Sequence, residues 1–175
     1  PQILRSVASE ASLSAQARLG RPVLMAAATA AGAARNVGIY RKAAQEAGHS
    51  DDAIDRAISE SWVARTAVIA PTDKEAVEVG LPYFQQMQTY RAAQSTAFEA
   101  MVAKANKQPG LPVLCGAPES LLEDFTSLEK TGIGGVFVRF RTGPMPAAFS
   151  TRALRLFMQE IAPHIRMPSL APATV

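Results

Sequence analysis

Ser9 and Ser12, three residues apart, are the first side chains whose type and spacing suit chemistry. They follow a short strand pattern, Ile3 to Ala8, and lead into a helical pattern, Ser12 to Leu19, that Gly20 stops. A helix N-terminus carries free N–H groups and the positive end of a dipole, and small hydroxyls add donors. Such a place cradles a phosphate. Serine is also an ordinary N-cap residue, and that reading needs no ligand. Glu10 between them would repel an anion if it faced the same way, so its side chain is expected to point out.

No other residue presents itself as an acid, base or nucleophile. Cys115, the single cysteine, stands in a short segment before Pro118 with no histidine near it in sequence, which suits a small buried apolar residue. His49 follows a helix stop and is expected at the solvent surface. His164 falls near the end of the last helix, where a cation is favourable. Two histidines without cysteine partners or H-x-x-x-H spacing make no metal site. After the first strand, Ser6-Val7-Ala8-Ser9-Glu10 lacks the G-x-G-x-x-G spacing of a dinucleotide fold.

The composition bounds what these residues can belong to. At 175 residues the chain is one domain's worth, with 48% hydrophobic and 19% charged residues, which excludes an intrinsically disordered chain. Its longest apolar run falls short of the roughly 18 residues a membrane span needs. There is no signal-peptide pattern, and one cysteine excludes an internal disulfide framework, so a cytoplasmic setting is expected. A net charge of +3, scattered along the chain, gives no footprint for nucleic acid. Pro1 rather than Met opens the chain and leads straight into an apolar stretch, as in a chain that begins partway through a longer one.

Short β-branched runs alternate with amphipathic segments. Pro22 to Ala27 reads as a strand buried on both faces, its small-residue end Met25–Ala28 suited to close helix packing or to a flat ring. Ala33 to Ala47 reads as a helix with Val37, Tyr40, Ala44 and Ala47 on one face and Gly48 as its stop, and Tyr40-Arg41 as outer-layer packing and surface charge. Ser50 caps a short helix carrying Ile54 and Ile58. Trp62 to Ala70 is the clearest strand, and Thr72 with Glu75 forms a capping box for the next helix. From Lys74 to Lys107 the chain is mostly helical in composition, kinked early by Pro82, with a stripe of Tyr83, Phe84, Met87 and Tyr90 suited to core or interface. A Pro/Gly loop spans Gln108–Pro112. Pro118 opens another helix, with Leu121, Leu122, Phe125 and Leu128 inward and Gly132 past its end. Gly135 to Phe140 is a strand, and Ser150 is expected to cap the last helix, with Leu154, Phe157, Met158 and Ile161 on its inner face. The tail from Met167 to Val175 is expected to be loose. Four βα units imply a parallel sheet covered by helices. The pattern alone leaves open a doubly wound sheet or part of a (β/α)8 barrel, which when closed needs about 250 residues.

Several of these stretches together resemble the C-terminal half of the bacterial luciferase-like family of flavin-dependent monooxygenases. The first runs from Val7-Ala8-Ser9-Glu10-Ala11-Ser12 through Ala17-Arg18-Leu19-Gly20-Arg21-Pro22, and the second from Gly38-Ile39-Tyr40-Arg41 to Ala47-Gly48. Thr72-Asp73-Lys74-Glu75-Ala76 adds a matching turn. The most specific runs from Cys115-Gly116-Ala117-Pro118-Glu119 through Gly132-Ile133, Val138-Arg139-Phe140 and Gly143-Pro144-Met145-Pro146 to Phe157–Pro163.

The resemblance implies that residues 1–166 form the C-terminal half of a TIM (β/α)8 barrel, with a helical insertion before the last strand, and that 167–175 is a flexible Pro-rich tail. It places the site at the C-terminal ends of the strands. Ser9 and Ser12 then match positions holding the flavin 5′-phosphate, while Arg139 and Gly143 border the ring system or the substrate, Arg139 serving equally well in an interior ion pair. The implied cofactor is FMN, used in reduced form with O2 on a small organic substrate; the deazaflavin F420 is the alternative on the same barrel. Acid, base and reactive-face residues would come largely from the first half, so no catalytic residue is assigned here. Implied partners are flavin, substrate, a complementary N-terminal half-barrel and a flavin reductase, with homo-oligomerisation another way to close the barrel. Neither nucleic acid nor membrane is implied. A half-barrel without catalysis, kept as an assembly module, is the rival from another class.

Overall fold

A computed structural model describes residues 3–27, 29–94 and 113–165, with backbone only for 91–94. Three βα units come first: β1 (Arg5–Val7) and α1 (Glu10–Arg18); β2 (Val23–Ala26) and α2 (Ala30–Glu46), followed by α3 (Asp51–Ser59); and β3 (Trp62–Ile69). A short α4 (Asp73–Glu75) passes through a π-helical turn at Ala76–Gly80 into α5 (Leu81–Gln94). The chain resumes with β4 (Leu114–Gly116), α6 (Pro118–Ser127) and a 3-10 turn at Leu128–Thr131. It ends with β5 (Gly135–Arg139) and α7 (Ala147–Leu156), which runs on through a π turn at Phe157–Ile161.

Every strand pairing is parallel, in the order β1-β2-β3, and β3 then pairs with two strands. β5 lies against Trp62–Thr66, and β4 against Ala67–Ile69. The architecture is therefore α/β with a parallel sheet, as the alternating pattern implied. A fifth strand, Leu114–Gly116, is added: it is only three residues long and carries a glycine, so it has no strand periodicity to read.

Alternation along the strands sorts two faces. Val7, Val23, Met25, Val63, Ala67 and Ile69 point to the helices and join one core with Leu13, Val37, Tyr40, Ile54, Ile58 and Phe125. The register sets Ser6, Leu24, Trp62 and Gly135 in a row on the opposite face, with Ala26, Ala64 and Phe137 in the next. Trp62 is 38% exposed there and Phe137 50%. Gly135 lets the Trp62 indole lie across it, since a Cβ would come within 2.8 Å of the ring. Among the described residues, helices cover one face of this sheet and leave much of the other open.

The caps explain most helix boundaries. Ser9, Thr29, Ser50 and Thr72 each accept a hydrogen bond from the backbone N–H three residues on. Gly20, Gly48 and Gly132 end their segments with positive φ. Ser150 does not cap the last helix. That helix starts at Ala147 after Pro146, and the Ser150 hydroxyl donates instead to the Ala147 carbonyl. Pro82 does not end the helix: it occupies the second position of α5, directly after the π turn that interrupts the regular α pattern. Tyr40 packs into the core on the expected inner face, with Val37 and Ala44. It is fully buried, its hydroxyl donates to the Arg21 carbonyl at 2.9 Å, and burial pushes its pKa up to about 12. Ala47, expected on the same inner face, is exposed. The sequence-predicted helix beyond 94, the 108–112 loop and the 167–175 tail lie outside the described residues.

Gly80 brings the π turn onto the top of β3. A Cβ there would lie 2.3 Å from Val68 Cγ1 and 2.7 Å from Phe149 Cζ. Gly80→Ala is therefore expected to cost about 1–3 kcal/mol by overpacking, read as a lower urea midpoint with unchanged slope.

Candidate functional site

The C-terminal ends of the strands all open at one end of the sheet, and the loops beyond them carry the sequence-predicted positions. Ser9 and Ser12 stand at the first of these. Ser9 is the N-cap of α1 and Ser12 its third residue, joined as a reciprocal box. The Ser12 amide donates to Ser9 Oγ at 3.2 Å, and the Ser9 amide donates to Ser12 Oγ at 3.2 Å. The next amide, that of Leu13, donates to the Ser9 carbonyl. The amides of Glu10 and Ala11 at this helix start then have no intrahelical acceptor. Glu10 is exposed, its carboxylate 3.8 Å from Arg35 of α2. Arg35 is a cation beside this corner that the sequence pattern missed, because the α1–α2 packing that brings it there joins residues 25 positions apart.

Arg139 and Gly143 stand on the far side of the sheet. Arg139 ends β5 on the open face, in register with Thr66 of β3, and is exposed. β2 and β3 separate β1 from β5, so Arg139 and the Ser9 corner belong to strands three spacings apart, about 14 Å between strand axes. Gly143 has φ 55° and rests on α5, where a Cβ would lie 2.8 Å from Met87 Cβ and 3.4 Å from the Tyr83 carbonyl oxygen. The loop after β5 thus lies against the α5 stripe. Within that stripe Phe84 is buried, Tyr83 and Met87 are half-buried, and Tyr90 is exposed. The structure brings Gly143 to α5 and leaves the two serines and Arg139 on opposite edges of one opening.

Asp73 ties two of the loops together. Its carboxylate accepts from the Ala117 amide at 2.6 Å and from the Ser120 hydroxyl at 2.7 Å, joining the start of α4 to the start of α6. These two bonds hold its pKa below the usual carboxylate value. Gly116 leaves room for it, since a Cβ would fall 2.8 Å from Asp73 Oδ1. Cys115, beside this clasp, has its thiol pushed up by burial and by the Asp73 charge, which makes it a poor nucleophile at neutral pH. His49 is half-buried rather than solvent-exposed. Its Nε2 lies 3.0 Å from the Arg18 carbonyl oxygen and its ring packs on Gly20, so it fastens the end of α1 far from the loops. Among the described residues no group of His, Cys, Asp or Glu could hold a metal ion, and no helix is long and apolar enough to cross a membrane.

A one-sided parallel sheet with its ligand-facing loops at the strand C-termini is the architecture of half a (β/α)8 barrel. The chain belongs to the luciferase-like monooxygenase family, whose pattern it matches over residues 1–134. Solved structures agree on the fold. The monooxygenase RslO1 from Streptomyces bottropensis superposes with a TM-score of 0.65 at 22% identity, over 94% of this chain and 48% of that one. The oxygenating constituent of 3,6-diketocamphane monooxygenase from Pseudomonas putida, solved in complex with FMN, gives 0.55 at 22%, over 94% and 48%. The coenzyme F420-dependent tetrahydromethanopterin reductase from Methanopyrus kandleri gives 0.55 at 19%, over 92% and 50%. The chain thus spans about half the length of the structures it resembles. No curated protein matches it.

The depressed Asp73 pKa gives the clasp a pH dependence. An unfolded aspartate titrates near pH ~3.9, so the contribution is complete above that value and is lost as pH falls through the lower folded value. Urea stability measured from pH 6 to pH 2 is expected to fall in the wild type, and the acid limb to be shallower in Asp73→Asn.

Proposed function

We propose that this chain is the flavin-holding half of a luciferase-like oxidoreductase, one that uses reduced FMN and O2 to oxidise a small organic substrate. The observation that carries the reading is the α1 N-terminus. Two amides without helical acceptors stand at the strand C-termini beside the Ser9 and Ser12 hydroxyls, whose protons turn inward here, from Ser9 Oγ to Ser12 Oγ and from Ser12 Oγ to the Ser9 carbonyl, and would rotate to meet a ligand. Those donors fit a phosphate dianion. Ser9 and Ser12 would hold the phosphate of FMN, and Arg139 and Gly143 would border its ring or the substrate from the other edge. Bound reduced FMN supplies the electrons with which O2 is split between product and water. This chain's residues bind and orient; with the barrel closed, the apolar face of Leu24, Ala26, Ala64 and Phe137 would exclude water.

A complementary half-barrel, from a longer chain or a separate polypeptide, would cover the open face, and a second copy of this chain is the other way to close it. A flavin reductase would supply the reduced cofactor. A cytoplasmic setting suits such an enzyme. F420 in place of FMN is the second reading, favoured by the F420-dependent reductase among the similar structures. The rival from another class, a silent assembly module, predicts no flavin binding at all.

Titration with FMN and with riboflavin, on the chain alone and with the complementary half present, decides between them. FMN is expected to bind more tightly than riboflavin. The Ser9→Ala/Ser12→Ala double variant is expected to lose about 1–3 kcal/mol of FMN affinity and none for riboflavin. A folded, monodisperse protein that takes up FMN in neither state contradicts the reading, and uptake of F420 alone selects the alternative.

A further inference from the structure

The β2–α2 loop forms part of the rim at the strand C-termini, and a buried charge lies behind it. Arg65 of β3 points to the helix side, its side chain fully buried over the Phe125 ring. It pairs through Nη1 with Asp124 Oδ2 of α6, while its Nε and Nη2 have no hydrogen-bond partner among the described residues. The other Asp124 oxygen accepts from the Ala30 amide at 2.9 Å, in the first turn of α2. Asp124 is thus shared between a buried cation and a helix start 94 positions away in sequence.

A buried ion pair with an under-satisfied guanidinium is a poor source of stability, and apolar replacements of similar size often do as well or better. What this pair supplies is direction. The carboxylate is fixed by Arg65 so that its second oxygen faces α2. The same loop is held on its other side by Thr29, which caps the Gly32 amide at 3.1 Å, and by Asn36, which donates to the Ala26 carbonyl at 3.2 Å. We propose that Asp124 is a positioning residue: aimed by Arg65, it holds the first turn of α2, and with it the cap residue Thr29, in one orientation at the mouth. The role holds whichever cofactor the mouth takes.

Hydrogen exchange at the Ala30 amide, alongside urea unfolding, tests it. Asp124→Ala removes both oxygens, whereas Arg65→Met leaves the carboxylate in place and removes only the group that aims it. Positioning by an aimed carboxylate predicts exchange faster by about ten- to a hundredfold in Asp124→Ala, the size of one lost charge-assisted hydrogen bond, and a smaller but measurable acceleration in Arg65→Met. Unchanged exchange at Ala30 in either variant overturns the proposal. In an apolar double variant, Arg65→Met/Asp124→Leu, the urea midpoint is expected to match or exceed the wild type while Ala30 exchanges fast. A double variant with Ala30 still protected, or one that no longer folds, contradicts it.

Discussion

Parallel sheets are stable when both faces are covered, and here, among the described residues, helices cover one face and reach the other only at the top of β3, around Val68. The inner core formed by Val23, Met25, Val63 and Tyr40 under α1, α2 and α3 is complete. The opposite face carries Leu24, Trp62 and Phe137 with much of their area in water. Burying what remains exposed of the two aromatics alone is worth about 4–5 kcal/mol at about 25 cal/mol per Å². That is comparable with the whole stability of a small domain. The sheet also ends in the free edge of β1, which closure into a barrel removes. On the proposed reading, a complementary half-barrel would satisfy this constraint by covering the open face.

The same geometry explains why the candidate binding groups stand apart. β1 and β5 occupy opposite edges of the sheet, so the Ser9 corner and Arg139 face each other across an opening rather than lining one pocket. Between them, Asp73 fastens the loop after β3 to the helix after β4, and Asp124 fastens the loop after β2 to α6. The mouth is therefore stitched by carboxylates that accept backbone amides, one exposed and one half-buried. These contacts fix loops that would otherwise carry unpaired polar groups at the rim.

Much of this was legible in the residues. Capping serines and threonines, glycines after helices and the β-branched run at Trp62–Ile69 state local rules that tertiary packing did not override. The motif order from Ser9 to Pro163 carried the family, which periodicity alone left undecided between two architectures. What could not be read depends on neighbours distant in sequence. The strand at Leu114–Gly116 exists because the upper part of β3 offers it an edge. Ser150 fails as a cap because Pro146 already starts the helix at Ala147. Arg35 reaches Glu10, Arg65 reaches Asp124 and His49 reaches Arg18 only through helix packing. The placement of Ser9 at the strand ends was readable in advance, whereas its engagement with Ser12, and the two amides left over beside it, needed the three-dimensional structure.

Trp62, the sole tryptophan, sits on the open face and reports on it directly. Its fluorescence, titrated with acrylamide on the monodisperse chain and again with the complementary half-barrel added, measures whether that face is a barrel interior awaiting cover. Such an interior gives ready quenching and red-shifted emission in the first state, with blue-shifted, shielded emission in the second. A tryptophan already shielded in the lone chain, or equally accessible in both states, would contradict it.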